Sequence, residues 1–353
     1  MAKGRTLSKG KVVGGRWKIL KRIGEGAFGA VYKVEDIDNG ELAALKVEWG
    51  QGQRSVLRLE AMILRRLEGK AYFAQLLQTG KKTTYSYIVM TLLGESLDTI
   101  LKKVGRICTV STQIRIGINT LFEIKQLHDV GFVHRDIKPG NMALGCSGTP
   151  QHRFIHIFDF GLAREYIVVD IDGRTKMRRP RPRAHFRGTI RYCSANAQER
   201  GEQGRPDDLW CLLYLLVELR GPLPWTHIRD RNRVLRTKRE VEMDRLLANC
   251  PVELLAFAEH LSSLNYYIRP NYLLLYHLLE KVLIAGNIKF TDPYDWEQDA
   301  IAKITSEETA SELITSTRSL PTEMPSRLNK LTSEIDPDHP FAPDFFATNP
   351  LGF

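Results

Sequence analysis

The stretch HRDIKPGN, residues 134 to 141, decides the reading of this chain, together with FDFG at 158 to 161. It sets a carboxylate, Asp136, two residues ahead of an ammonium, Lys138, with a side-chain amide, Asn141, three further on. A second carboxylate, Asp159, follows between two phenylalanines. Moving a phosphoryl group asks little covalent chemistry of a protein; it needs an oriented hydroxyl, neutralised phosphates and fixed cations. Asp136 suits the first need, as the group that accepts or orients a hydroxyl proton. Lys138 is placed to reach a terminal phosphate. Asn141 and Asp159 are hard oxygen donors of the kind Mg²⁺ takes, few in number and completed by phosphate oxygens.

Working outward towards the N-terminus, Gly24, Gly26 and Gly29 form a G-x-G-x-x-G. Dinucleotide sites share that spacing, but there the glycines open a helix. Here AVYKVEDI continues as a strand into a DNG turn, and Val31 completes the G-x-G-x-x-G-x-V that covers ATP phosphates. Taken alone, the motif also reads as a plain glycine-rich turn. Lys46 lies in the apolar strand that follows, where an unpaired ammonium would be costly. Glu60, on the segment SVLRLEAMILRRL (55–67), is its natural partner, and the pair would hold the ATP phosphates in register. Either residue singly reads as well as a surface position. In this order the motifs specify an α+β, bilobal protein-kinase fold, with a β-rich N-lobe and a mainly α-helical C-lobe.

Periodicity adds the boundaries. Residues 1–15 read as a flexible basic leader and 16–298 as the kinase domain, with an N-lobe at 16–90, a hinge at 91–94 and a C-lobe at 95–298. STQIRIGINTLFEIKQLHDVG runs from a capping Ser/Thr cluster to a glycine, and further apolar helices are expected at 208–219, 252–264 and 272–284. The apolar run at 209–219 is too short to span a bilayer and carries Glu218, which favours a buried helix. Residues 299–353, rich in Ser, Thr, Glu and Pro, read as a largely disordered tail. Its Thr305, Ser306, Thr309, Ser311, Thr315 and Ser316 are candidate autophosphate acceptors. For the aromatic end PFAPDFFATNPLGF, a docking role and none at all stay equally open.

The chain resembles the casein kinase 1 superfamily and, within it, the tau-tubulin kinase branch, across residues 14 to 298. GTIRYCSANA (188–197) stands where generic kinases carry Ala-Pro-Glu and is similar to the superfamily's G-T-x-R-Y-x-S-x-N. FDFGLAREY, FRGTIRY, RPDDLWCLLYLLVE, LPW, HLSSLNY and DPYDWE look like the tau-tubulin kinases. The resemblance implies ATP and Mg²⁺ as cofactors and transfer to Ser or Thr of proteins. It implies a cofactor-binding set of Ile23, Gly24, Gly26, Gly29, Val31, Ala44, Lys46, Glu60, Met90, Leu93 and Asp159. Met90 takes the gatekeeper position, the Leu93 backbone faces adenine, and Asp208 anchors the catalytic loop from below. Ser194-Ala195-Asn196 stands for the usual Ser-Ile-Asn, and Cys193 for alanine; neither removes a catalytic atom.

RRPRPRAHFRGTIRY, residues 178 to 192, then falls between FDFG and the superfamily signature. The superfamily favours acidic or already phosphorylated substrates, which implies that Arg187 and Arg191, helped by Arg178 to Arg183, form an anion site. A second basic run, IRDRNRVLRTKRE (228–240), would extend the field. A solvated loop, a nuclear-import signal and a nucleic-acid arm are the competing readings of the same arginines. Tyr166, Thr175, Thr189 and Tyr192 are conceivable phosphosites, although superfamily members generally work without phosphorylation there.

The net charge of +10 agrees with anionic partners without naming them. Five scattered cysteines without a Cys-x-x-Cys pair speak against a zinc ribbon or a disulfide framework. The basic start has no apolar segment after it, and Met-Ala excludes N-myristoylation. The expected enzyme is therefore a monomeric serine/threonine protein kinase acting on proteins, with no nucleic acid and no membrane as partner. It is expected in the cytoplasm, with the nucleus as a second compartment. The alternative, a pseudokinase scaffold for acidic or phosphorylated partners, would normally lack Lys46, Asp136 or Asp159, and all three are present.

Overall fold

The computed structural model describes residues 6–26, 29–50, 55–297 and 337–353. Alternating apolar residues and the DNG turn build the first lobe. Its strands are β1 (Val12–Val13), β2 (Trp17–Gly26), β3 (Gly29–Asp36), β4 (Leu42–Trp49), β5 (Leu76–Lys81) and β6 (Tyr85–Thr91). They form one antiparallel sheet in the order β1-β2-β3-β4-β6-β5. Because strand side chains alternate, the sheet has two different faces. Tyr32, Val34, Ala43, Leu45, Val47 and Val89 bury one face over Trp17. On the other, Val31 stands opposite Lys46, Ala44 opposite Met90 and Lys46 opposite Ile88.

α1 (Val56–Arg66) packs on that second face. The Ser55 side chain caps it, accepting from the Arg58 N–H at 3.2 Å, and Leu57, Glu60, Ala61, Ile63 and Leu64 turn inward. The leader reading is corrected from Thr6 onward. Leu7 and Val13 are buried in the sheet's core, and the Leu7 N–H donates to the Tyr32 hydroxyl at 2.9 Å. A lone leucine and a valine pair among Gly, Lys and Ser show no period, so only the sheet they land on makes them structural.

The second lobe is helical: α2 (Leu97–Lys103), α3 (Val110–Asp129), α4 (Ala195–Gln198), α5 (Arg205–Glu218), α6 (Arg231–Glu240), α7 (Met243–Leu246), α8 (Glu253–Ser262) and α9 (Tyr272–Ala285). α3 is buried on all sides from Thr112 to His128, and α5 almost throughout. The two run through one apolar core with Phe257, Leu275 and Leu279. Short strands carry the loops between them: β7 (Phe132–Val133), β8 (Met142–Leu144), β9 (Ile155–Ile157), β10 (Arg164–Glu165), β11 (Ile167–Val169) and β12 (Thr175–Met177). β7 pairs with β10, β8 with β9, and β11 with β12. The sequence marks α6 only as a basic run, because its single buried apolar residue, Val234, gives no stripe.

The disordered-tail reading is corrected for 337–353. α10 (Pro343–Ala347) docks against α9 and α3, with Phe341 at 1% and Phe346 at 0% exposure. The remaining stretch, with the six Ser and Thr named above, lies outside the described residues.

Candidate active site

The sheet's second face, α1 and the loops around β7 to β9 meet at Lys46. Its Nζ is 2.6 Å from Glu60 Oε2 and 2.9 Å from Asp159 Oδ1. Burial works against the Lys46 charge, but the two carboxylates outweigh it and raise the pKa above that of a free lysine. Burial alone would raise Asp159; Lys46 reverses this and holds it below the usual carboxylate range. For Glu60 the balance goes the other way: burial dominates over Lys46 and pushes it up. One ammonium thus joins strand, helix and the FDFG segment, and leaves a half-exposed carboxylate beside it.

Asp136 sits in a closed set of hydrogen bonds. Lys138 Nζ donates to its Oδ2 at 2.7 Å, Asn141 Nδ2 to Oδ2 at 3.0 Å, and the Thr189 hydroxyl to Oδ1 at 2.7 Å. Lys138 also donates to the Thr189 hydroxyl at 2.9 Å. The arrangement shows that Asp136 Oδ1 can accept from an aliphatic hydroxyl with an ammonium alongside. Below the loop, Asp208 accepts from the His134 N–H at 2.6 Å and the Arg135 N–H at 2.7 Å, the anchoring role expected for it. Burial opposes the Asp208 charge, but His128 and the converging donors keep its pKa below the ordinary value.

Two backbone positions show how tightly the site is drawn. Arg135 (φ 70°) and Asp159 (φ 64°) both lie in the left-handed region, a conformation costing a non-glycine residue about 1–3 kcal/mol unless its surroundings impose it. Gly188 (φ 110°) approaches so closely that an added Cβ would come within 2.6 Å of the Arg135 carbonyl. At Gly29 a Cβ would run into the Val47 carbonyl oxygen.

The residues expected from the sequence are therefore brought together. Gly24, Val31, Ala44, Lys46 and Met90 share one sheet face by register; Ile23 is exposed beside them, and Leu93 follows the end of β6. Of the expected anion site, Arg187 is exposed, but Arg191 is turned to Glu218, with its Nη1 2.6 Å from Oε1. That corrects the picture of Arg191 as a free cation. Burial disfavours its charge, and Glu218 more than restores it. Arg181 is likewise committed, gripping Glu202 through Nε at 2.5 Å and Nη2 at 2.8 Å.

The sequence reading missed four contributors. Thr189, taken as a conceivable phosphosite, is bonded to Asp136. Glu202 lies between Arg181 and Arg164, the latter 3.3 Å away. Glu218, noticed only as a charge in an apolar run, also accepts from the Tyr192 hydroxyl. Lys238, 4% exposed, donates to the carbonyls of Ile190 at 2.7 Å and Cys193 at 2.6 Å. A carboxylate closing an apolar helix was the one available signal.

Fold and site together define a phosphotransferase of the two-lobed kind, and comparison supports this. The protein kinase domain model matches residues 17–284, so the chain belongs to the protein kinase family. A Caenorhabditis elegans protein named as a candidate serine/threonine-protein kinase is 45% identical over 350 residues, 99% of this chain and 98% of that protein. A Dictyostelium discoideum protein named in the same way is 36% identical over 294 residues, 82% of this chain and 58% of its own length. An "inactive tau-tubulin kinase" of Caenorhabditis elegans is 35% identical over 227 residues, 62% of this chain and 78% of that protein. By family the protein is a serine/threonine protein kinase.

Proposed function

We propose that this kinase transfers the γ-phosphoryl group of ATP to Ser or Thr of acidic or already phosphorylated proteins, as a tau-tubulin-like member of the casein kinase 1 superfamily. The observation that carries the transfer is Asp136 Oδ1 accepting from the Thr189 hydroxyl at 2.7 Å while Lys138 Nζ donates to that hydroxyl's oxygen at 2.9 Å. A substrate hydroxyl in the place of the Thr189 hydroxyl would give its proton to Asp136 while its oxygen bonds to the γ-phosphorus, and the bond from that phosphorus to the β–γ bridging oxygen would break, ADP leaving with the electron pair. Lys138 and Lys46 would balance the charge of the phosphates. The strand face of Val31, Ala44 and Met90, with Ile23 and Leu93, would take the adenine, and the turn of Gly24, Gly26 and Gly29 the phosphates.

The donor set suits Mg²⁺. Both Asn141 N–H donors have partners on Asp136, which leaves Oδ1 as its remaining polar atom, and Asp159 is a half-exposed carboxylate held ionised. A bound Mg²⁺ would neutralise phosphate charge there.

The acidic preference rests on exposed cations around the loop at 187–191. Among the described residues, Arg187, Arg229, Arg231, Arg233 and Arg236 have no carboxylate within ion-pair distance. Purified chain with ATP and Mg²⁺ should phosphorylate a Ser/Thr peptide library, and acidic or phosphorylated members first. Asp159→Asn should lower turnover by at least about 100-fold. The relative named as inactive motivates the second reading, a scaffold without turnover; a clean wild-type chain that fails on every library member would establish it.

A further inference from the structure

The segment 337–353 lies across the helical lobe, and its contacts lead to both sides of the site. Phe341 fills a hole walled by Tyr72 (ring centroids 5.4 Å), Phe122 (5.0 Å), Phe154 (5.9 Å) and Phe290 (5.2 Å). Phe346 stacks on Tyr276 at 4.4 Å with the planes 19° apart. Further along, Arg269 donates to the Thr348 carbonyl at 2.6 Å, and Lys125 to its hydroxyl. Arg205 then donates to the Phe353 carbonyl at 2.8 Å, while Leu351 and Phe353 pack against Val133, Tyr166 and Ile167.

Two of these partners matter for catalysis. Tyr72 belongs to the loop joining α1, which carries Glu60, to β5. Its backbone is left-handed (φ 64°), a conformation a bulky residue keeps only where its neighbours impose it. The next residue, Phe73, is buried and faces Phe160, beside Asp159, at 6.4 Å between ring centroids. At the other end Val133 is the residue before His134 and the Asp136 loop. The segment therefore touches one route to Lys46, Glu60 and Asp159 and another to Asp136.

We infer that 337–353 is a strap that positions the catalytic groups. Phe341 and Phe346 anchor it. Through Tyr72 it holds the α1–β5 loop, and with it Phe73 against Phe160, in the register that keeps Asp159 and Glu60 on Lys46. These are positioning residues, since none touches a reacting atom. Without Phe341 the hole loses its filling, the contacts that impose the Tyr72 backbone weaken, and the loop relaxes. A displacement of that kind costs rate even far from the chemistry.

The test uses the full chain carrying Phe341→Ala and Phe346→Ala. Its kcat on a Ser/Thr peptide library should fall about tenfold, with KM for the peptide changed less than twofold. A synthetic peptide of residues 337–353 should restore kcat in trans; the same peptide with both phenylalanines replaced by alanine should not. Hydrogen exchange over 55–74 and 158–162 should quicken in the variant and slow again with the peptide. This second readout needs no turnover, so it separates failure of the strap from failure of the kinase reading. A folded variant with unchanged kcat and exchange overturns the strap, as does a peptide that restores melting temperature but neither kcat nor exchange. If the variant does not fold, a protease site placed within 298–336 and cut after folding replaces it. Faster exchange at 55–74 once the freed segment is washed away then supports the strap, and unchanged exchange sinks it.

Discussion

RRPRPRAHFR (178–187) and IRDRNRVLRTKRE (228–240) carry five arginines each, yet the fold uses them differently. In the first stretch Arg181 is locked bidentately on Glu202, a carboxylate only 2% exposed, and Arg178 leans on Glu165. Arg164 shares Glu202, and the guanidiniums press on Arg135: burial, then Arg164 and Arg181, bring its pKa down to about 10. In the second stretch only Arg239 has a carboxylate partner among the described residues, and that pair, with Glu199, is on the surface. Lys238 alone turns inward, and it meets carbonyls rather than a carboxylate. What a cation does is set by what the chain places opposite it, not by how many cations stand in a row.

Glu202→Gln would leave the half-exposed Arg181 and Arg164 without their shared buried carboxylate, and losing charge-assisted hydrogen bonds of this kind costs about 2 kcal/mol. Chemical denaturation should show that loss, and kcat should fall with it because Arg135 adjoins Asp136. A loss below about 1 kcal/mol would put the cluster in the class of surface pairs.

Acid gives a smaller and sharper effect. Burial pushes Glu202 up, but Arg181 and Arg164 together hold it below the ordinary glutamate value of 4.5. With the folded pKa below the unfolded one, the contribution is complete above that value and is lost as pH falls through the lower one. The stability gap between parent and Glu202→Gln should stay constant from about pH 7 to pH 5 and close only below the usual glutamate range. A gap that already closes above pH 5 would contradict the assigned direction.

The smallest effect on stability belongs to α6. Replacing Arg229, Arg231, Arg233 and Arg236 by Glu should shift unfolding free energy by no more than about 0.5 kcal/mol each. KM for acidic peptides should nonetheless rise severalfold, and the rise should shrink in high salt as screening shortens. An equal rise for neutral peptides would mean that these arginines shape the loop rather than read charge.

Much of the site was legible because its signals are local. HRDIKPGN, FDFG and the glycine turn carry their chemistry at short spacing. Lys46 stood out as an ammonium in an apolar strand, for which Glu60 was the available partner. The Ser/Thr cluster at 111–112 pointed to the start of α3 within two residues of its actual cap, Thr109. The misses share a cause as well. Thr189 reaches Asp136 across 53 residues, and Arg191 reaches Glu218 across 27. Leu7, Phe341 and Phe346 belong to no helical or strand period, so their burial depends on a surface made elsewhere.

By itself the sequence determined the class of chemistry, the two-lobed order of the elements and the residues able to handle a phosphate, since these follow from residue type and local spacing. Only the tertiary structure decided which cations remain free, that Arg191 belongs to Glu218 and Arg181 to Glu202, and that an apparent tail closes over the helical lobe. Hydrogen bonds and ion pairs act over a few ångströms, and only folding brings groups so far apart in the chain to that distance.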